Sequence, residues 1–359
     1  MEMQYFGSTS DNEQVFSFTL KNRQGLEIVV LNWGGIIQSI RVPDAYGAIR
    51  DVCLGFESVR KYEQNADYIG AMVGRYANRI SGGRIAINGT VYQLALNDGP
   101  NHLHGGKKGF DKYLYDYEVD GDRLILMRRS PDMEEGYPGN LDVRFCYHLT
   151  DNNELILSYD AISDADTLVN LTNHAYFNLS GEGKGSILGH VLTLYASFFS
   201  ENDENCLPTG KLLSVENTPF DFREPKIIGK DIDSYDIQLS NGSGYDHNYV
   251  LDGNDRINPA AKLACAESGI VMTMSTTKPC VQFYSGNALS GAMGKSGIYS
   301  KRTGLCLEAQ YRPNALYATE DNQSQLLKKN QRYNHKTIYH FDTSPNDAVM
   351  RAQAEMQVS

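Results

Sequence analysis

The chain of 359 residues carries a formal net charge of −11, with 41% hydrophobic and 21% charged residues. That balance is read as a soluble globular protein with a sizeable core. Its acidity argues against nucleic acid or an anionic membrane as main partner, because phosphate binding rests on clustered Lys and Arg and no such block occurs.

The opening stretch MEMQYFGSTSDNEQVF lacks a basic start followed by a long apolar run, so no secretory signal is read. No apolar stretch reaches membrane-span length, and a cytoplasmic protein is expected. In chain order, QVFSFTLKN (14–22), LEIVVLNWGG (26–35) and IIQSIRVPD (36–44) are short, partly alternating runs bounded by Gly, Asn, Asp or Pro, the pattern of strands. ELILSYDAI (154–162), HVLTLYASF (190–198), GIVMTMSTT (269–277) and CVQFYSGN (280–287) repeat it. Turn clusters such as NRQG, AING, VDGD and TDNN fall at hairpin-like intervals. Only ESVRKYEQN (57–65) and NQSQLLKKN (322–330) read as short helices. No Gly/Ser- or Pro-rich linker divides the chain. The expectation is one all-β domain over 1–359, two broad stacked antiparallel sheets, with a frayed polar tail from about residue 343.

Six cysteines are scattered without C-x-x-C spacing and read as reduced packing residues. The 23 tyrosines suit stacking on a sugar face, although most serve simply as good strand formers.

Four stretches are polar where a sandwich should be bland. In GRYANRISGG, Arg75 or Arg84 alone reads as a surface ion pair, while Asn78 and Arg79 together suit ligand hydroxyls, which a rigid guanidinium fork can hold. In NDGPNHLHGGKKGFDK, His102 and His104 stand two apart, a spacing that could ligate a metal from a strand. Pro100 and the two glycines imply a loop instead, and no nearby third ligand completes a set. One histidine aimed at a ligand, with no metal, is the reading. In LTNHAYFNLS, His174 is either a satisfied core histidine or a proton carrier. Asn173, Tyr176 and Asn178 crowd polar groups around it, which buried without partners would cost about 1–3 kcal/mol each. Toward the C-terminus come Asp246 and His247 in SGYDHNYVL, Gln282 in VQFYSGN and Glu308 in GLCLEAQYRP. Glu308 sits in an apolar run. It either alternates outward to solvent or is buried with a raised pKa, as a general base near neutrality would be.

Taken in order, GRYANRISGG, NHLHGGKKGFDK, LTNHAYFNLSG, GYDHNYVL, VQFYSGN and CLEAQ resemble the aldose 1-epimerases (galactose mutarotases), over roughly residues 15–342. LNWGGIIQSIRVPD followed by DVCLGF matches the family's N-terminal pattern. The resemblance implies a large antiparallel β-supersandwich and interconversion of the α and β anomers of free hexoses such as galactose and glucose. It further implies His174 as general acid, Glu308 as general base and His104 as a second active-site histidine near the ring oxygen. Asn78, Arg79, Tyr176, Asp246 and Gln282 would hold the sugar. No cofactor or metal is implied, and the partner is a monosaccharide bound by a monomer or weak homodimer. The chain departs from the family pattern at His102, at EAQYRPN with Asn314 in place of an acidic residue, and in ALYATEDNQSQLL. These departures flank the base and bear on sugar preference. The competing readings are a hexose-phosphate epimerase, which needs a Lys/Arg cluster, a non-catalytic sugar-binding protein, and a glycoside hydrolase or lyase pairing Asp246 with Glu308.

Overall fold

Leu141–Leu149 shows why these runs become strands: Leu141, Val143, Phe145, Tyr147 and Leu149 are buried, while Asp142 and Arg144 are exposed. That is the two-residue period of a chain with one face on a core. The computed structural model describes residues 1–253, 256–315 and 325–344. Its largest sheet has nine strands, in the spatial order Asp116–Asp120, Arg123–Ser130, Leu141–Leu149, Glu154–Ser163, Arg332–Thr343, Ile270–Thr276, Asn258–Ala264, Val191–Leu194, Lys226–Ile227. A second sheet of six strands runs Tyr176–Phe177, Leu305–Gln310, Cys280–Tyr284, Asp246–Leu251, Ala196–Asn202, Pro208–Ser214, with every pairing antiparallel. The first five strands, Glu2–Ser8 to Ile49–Asp51, form a separate meander.

The two larger sheets stack through their apolar faces. The rings of Phe177 and Tyr339 are 5.2 Å apart, and the Tyr339 hydroxyl donates to the Leu307 carbonyl. One apolar cluster draws Phe18 and Ile28 from the meander, Phe145 and Phe341 from the nine-stranded sheet and Leu307 from the six-stranded one.

Strand Leu305–Gln310 is buried on both faces. Leu305, Leu307 and Ala309 enter the core, so Cys306, Glu308 and Gln310 share the opposite face. Residues paired across antiparallel strands also share a face. One transverse row therefore reads Tyr176, Cys306, Tyr284, Asp246, and the next reads Glu308, Gln282, Asn248. This polar face carries the candidate site.

Most of the expected elements are found, with three differences. The run 190–198 holds two strands, because the chain passes at exposed Tyr195 from the nine-stranded sheet to the six-stranded one. The expected helix at 57–65 is Val59–Glu63. That at 322–330 is corrected where it is described: Leu326–Leu327 pairs as a strand with Thr167–Leu168, and residues 322–324 lie outside the described residues. The helix Ile237–Gly242 was not expected. Its signal is short, a capping Asp236 whose carboxylate accepts from the N–H groups of Gln238 and Leu239. The tail expected from residue 343 falls almost wholly outside the described residues, since Thr343 closes the last strand.

Candidate active site

A cavity of about 330 Å³ opens over the polar face of the six-stranded sheet. All eight residues that the resemblance implies for the site line it: Asn78, Arg79, His104, His174, Tyr176, Asp246, Gln282 and Glu308.

Glu308 and His174 meet there from different elements. Glu308 comes from the middle of its strand, and His174 from the connection between the two-residue strands Thr172–Asn173 and Tyr176–Phe177. His174 Nε2 lies 3.7 Å from Glu308 Oε1, with both side chains buried. Glu308 Oε2 is buried and has no hydrogen-bond partner among the described residues. Burial, with Asp246 nearby and Arg79 opposing, pushes the Glu308 carboxyl well above its ordinary range. Burial likewise pulls His174 down to about 4. Burial thus disfavours the charged form of each group, and at this separation the two titrate as a coupled pair.

The histidine stretch separates into parts. Asn173 donates to the carbonyls of Gly70 and Ala71 and accepts from the Ala175 N–H, while Asn178 ties together Gly185, Thr303 and Ser180. The asparagines brace backbone, and His174 faces the cavity. Its Nδ1 lies 3.4 Å from the sulfur of Cys306.

His104 is set by backbone geometry. It adopts φ +50 and Gly105 φ +89. A Cβ on Gly105 would stand 1.7 Å from the Gly74 carbonyl oxygen, so only glycine fits. The N–H of Asn78 donates to His104 Nδ1 at 3.2 Å, and the His104 N–H donates back to the Asn78 carbonyl. An Nδ1 that accepts a hydrogen bond leaves the imidazole proton on Nε2. Burial, aided by His174 and Arg79, holds His104 well below its ordinary pKa, so it is a neutral N–H donor. One ligand atom each from His104, His174 and Glu308 lies within 4.8 Å of the others. His104 nonetheless lacks a free lone pair to give, so the trio suits hydroxyl oxygens better than a metal ion.

A chain of hydrogen bonds orients the rest. Gln310 Nε2 donates to Asn248 Oδ1 and Gln282 Oε1, and Gln282 Nε2 donates to Asp246 Oδ1 at 2.6 Å. Arg79 donates through Nε to Asp98 at 2.7 Å and lies 4.0 Å from the Asp246 carboxylate. Each amide and carboxylate is thereby presented in one orientation.

Three sequence readings change. His102 is not at the cavity: it begins a two-residue strand, His102–Leu103, and is held between the Ala95 carbonyl and the Tyr137 hydroxyl. Arg75 makes no surface ion pair. It is buried and donates to Ser130 Oγ and to the carbonyls of Ser130, Pro131 and Pro138. Asn314 does not line the cavity but ties Ser81 to Pro208. Sequence reasoning missed Tyr68 and Tyr284, whose rings flank His174 at 5.9 and 6.5 Å. Tyr68 takes φ +54, which nothing in its sequence context signals.

Known proteins of one family resemble nearly the whole chain. The family model for Aldose 1-epimerase matches residues 17–340. A galactose mutarotase from Bos taurus is 43% identical over 336 residues, spanning 92% of this chain and 95% of that protein. An aldose 1-epimerase from Escherichia coli K12 is 36% identical over 335 residues, spanning 92% of this chain and 96% of that protein. The crystal structure of galactose 1-epimerase from Lactobacillus acidophilus superposes with a TM-score of 0.83 at 30% identity, covering 96% of this chain and 98% of that one.

Proposed function

This chain belongs to the aldose 1-epimerase family, and from that premise we propose the roles of its residues. The protein is an isomerase that interconverts the α and β anomers of hexoses. In the proposed mechanism the C1 hydroxyl of the bound sugar gives its proton to Glu308, and His174 gives the proton on Nε2 to the ring oxygen. The C1–O5 bond breaks as the carbonyl forms. The aldehyde rotates about C1–C2 and the ring closes on the other face, with both protons returned. One proton shared over the pair serves both directions, and each transfer contributes about 10²–10⁴-fold.

The observation that carries this reading is the 3.7 Å approach of His174 Nε2 to Glu308 Oε1 at the cavity. Two groups that close can address the two oxygens on one hemiacetal carbon. His104 acts as a fixed N–H donor near the ring oxygen. Asn78, Arg79, Asp246 and Gln282 hold hydroxyls, Tyr176 packs beside the acid, and restraint of the sugar supplies the remaining acceleration.

The phosphorylated-sugar alternative loses support. Arg79 is the only Lys or Arg lining the cavity among the described residues, it already faces Asp98 and Asp246, and Arg312 is not at the wall. We further propose that the chain works as one domain, in the cytoplasm, as a monomer or weak homodimer. The apolar cluster common to the three large sheets supports the first point, and six cysteines that form no disulfide support the second. No helix is long and apolar enough to cross a membrane among the described residues.

The test is the optical rotation of freshly dissolved α-glucose and α-galactose with the protein, Glu308→Gln and His174→Asn. Accelerated mutarotation by the wild type and its loss in both variants is expected. Full activity in either variant would overturn the roles.

A further inference from the structure

Cys306 reads from sequence as packing, yet the strand period puts it two residues before Glu308 on the same face. Register then sets it between Tyr176 and Tyr284, whose rings lie 5.0 and 6.5 Å from that of His174. Its sulfur is 3.4 Å from His174 Nδ1, and both side chains are buried.

We infer that Cys306 is a positioning residue for the proton transfer: its sulfur accepts the Nδ1–H of His174, which leaves Nε2 as the nitrogen that gives and regains the proton facing Glu308. The inference rests on the reading of His174 as the acid. Consider what that role demands of the ring. When the imidazolium releases the proton on Nε2 to the ring oxygen, the neutral ring that remains carries its proton on Nδ1 and a lone pair on Nε2. The same lone pair must take the proton back on ring closure. Nδ1–H is therefore present throughout the cycle and needs an acceptor in a buried setting. Sulfur is a weak neutral acceptor. It holds the tautomer without the strong stabilisation of the charged ring that a carboxylate at the same place would bring, so the imidazolium stays acidic enough to part with its proton.

His104 supplies the contrast within the same cavity. Its Nδ1 is occupied by the Asn78 N–H, so it can neither shuttle a proton nor take a second one without setting two hydrogens against each other. The partner at Nδ1 distinguishes the two neighbouring histidines, whose rings are 5.3 Å apart. The titratable groups around the His174 ring are Glu308 and Cys306 from one strand, Tyr176 and Tyr284 from its neighbours, Tyr68 and His104. Burial keeps the Cys306 thiol protonated, so it adds no charge to this set.

The test compares Cys306→Ala and Cys306→Ser for kcat, KM and pH profile on α-galactose, alongside ¹⁵N chemical shifts of the His174 ring. Cys306→Ala is expected to lower kcat about 10-fold, as loss of a histidine's outer partner does, with KM unchanged. The Nδ1-protonated signal of His174 should give way to the Nε2-protonated form. Cys306→Ser, whose hydroxyl also accepts, should recover most of kcat and the Nδ1-protonated signal. Wild-type kcat and an unchanged tautomer in Cys306→Ala would overturn the inference. Equal losses in both variants with the tautomer kept would also overturn it, leaving packing as the role of Cys306. Full activity in His174→Asn would instead overturn the underlying reading of the acid.

Discussion

Asn78 and His104 exchange two hydrogen bonds, the Asn78 N–H donating to His104 Nδ1 and the His104 N–H donating to the Asn78 carbonyl. That exchange makes His104 a neutral donor whose charge does not change during turnover. His104→Gln, which keeps a donor, is expected to retain more kcat/KM than His104→Ala and to leave both limbs of the pH profile in place. Steady-state polarimetry across pH checks this.

Glu308→Gln and His174→Asn should each lower kcat by about 10²–10⁴-fold with little change in KM, because each removes a group that acts on the reacting atoms. The double variant should lose far less than the product of the two losses, since acid and base work as a unit. Kinetics of the three variants would reveal additivity if the two residues act separately.

The pH profile of kcat/KM should be bell-shaped and belong to the pair. As pH falls through about 4, His174 takes a second proton while Glu308 is already protonated, no base remains, and activity drops. As pH rises through the elevated Glu308 pKa, the shared proton is lost and the alkaline limb follows. Glu308→Gln removes this carboxyl from the titration, which residual activity in that variant can reveal.

The same burial has a consequence for stability. A carboxyl whose folded pKa is raised binds its proton more tightly in the fold than in the unfolded chain. It therefore destabilises the fold increasingly as pH rises above its unfolded pKa, until the folded pKa is passed. Glu308→Gln should accordingly melt higher than wild type at pH 8 and lose that advantage as pH falls below about 4.3, the ordinary Glu pKa. Thermal melts at the two pH values test the sign.

Gly105→Ala and Arg75→Met probe the scaffold. The first places a methyl against the Gly74 carbonyl at positive φ and should cost at least about 2 kcal/mol. The second removes the donor to the buried Ser130 hydroxyl and to the Ser130 and Pro138 carbonyls, and should cost roughly 3 kcal/mol or more. Urea unfolding measures both.

Much of this was legible in the chain. Alternating runs such as Leu141–Leu149 and Glu154–Ser163 announce strands because the side-chain period is two wherever one face is buried. The polar residues of LTNHAYFNLS and GLCLEAQYRP stand out because polar groups cost free energy in apolar surroundings. Illegible were the break at Tyr195, the short helix Ile237–Gly242 and the placement of Tyr68, all set by contacts with distant segments.

Sequence by itself determined the strand content and the chemical types available, an imidazole in His174 and a carboxylate in Glu308. Tertiary structure alone decided that Glu308 is buried rather than turned to solvent, that Arg75 is internal, and that His102 braces while His104 faces the cavity. It also set Cys306, 132 residues away in the chain, against His174. Local periodicity records which face a residue takes. Its burial, its partner and its tautomer follow from cross-strand register, which joins segments remote in the chain.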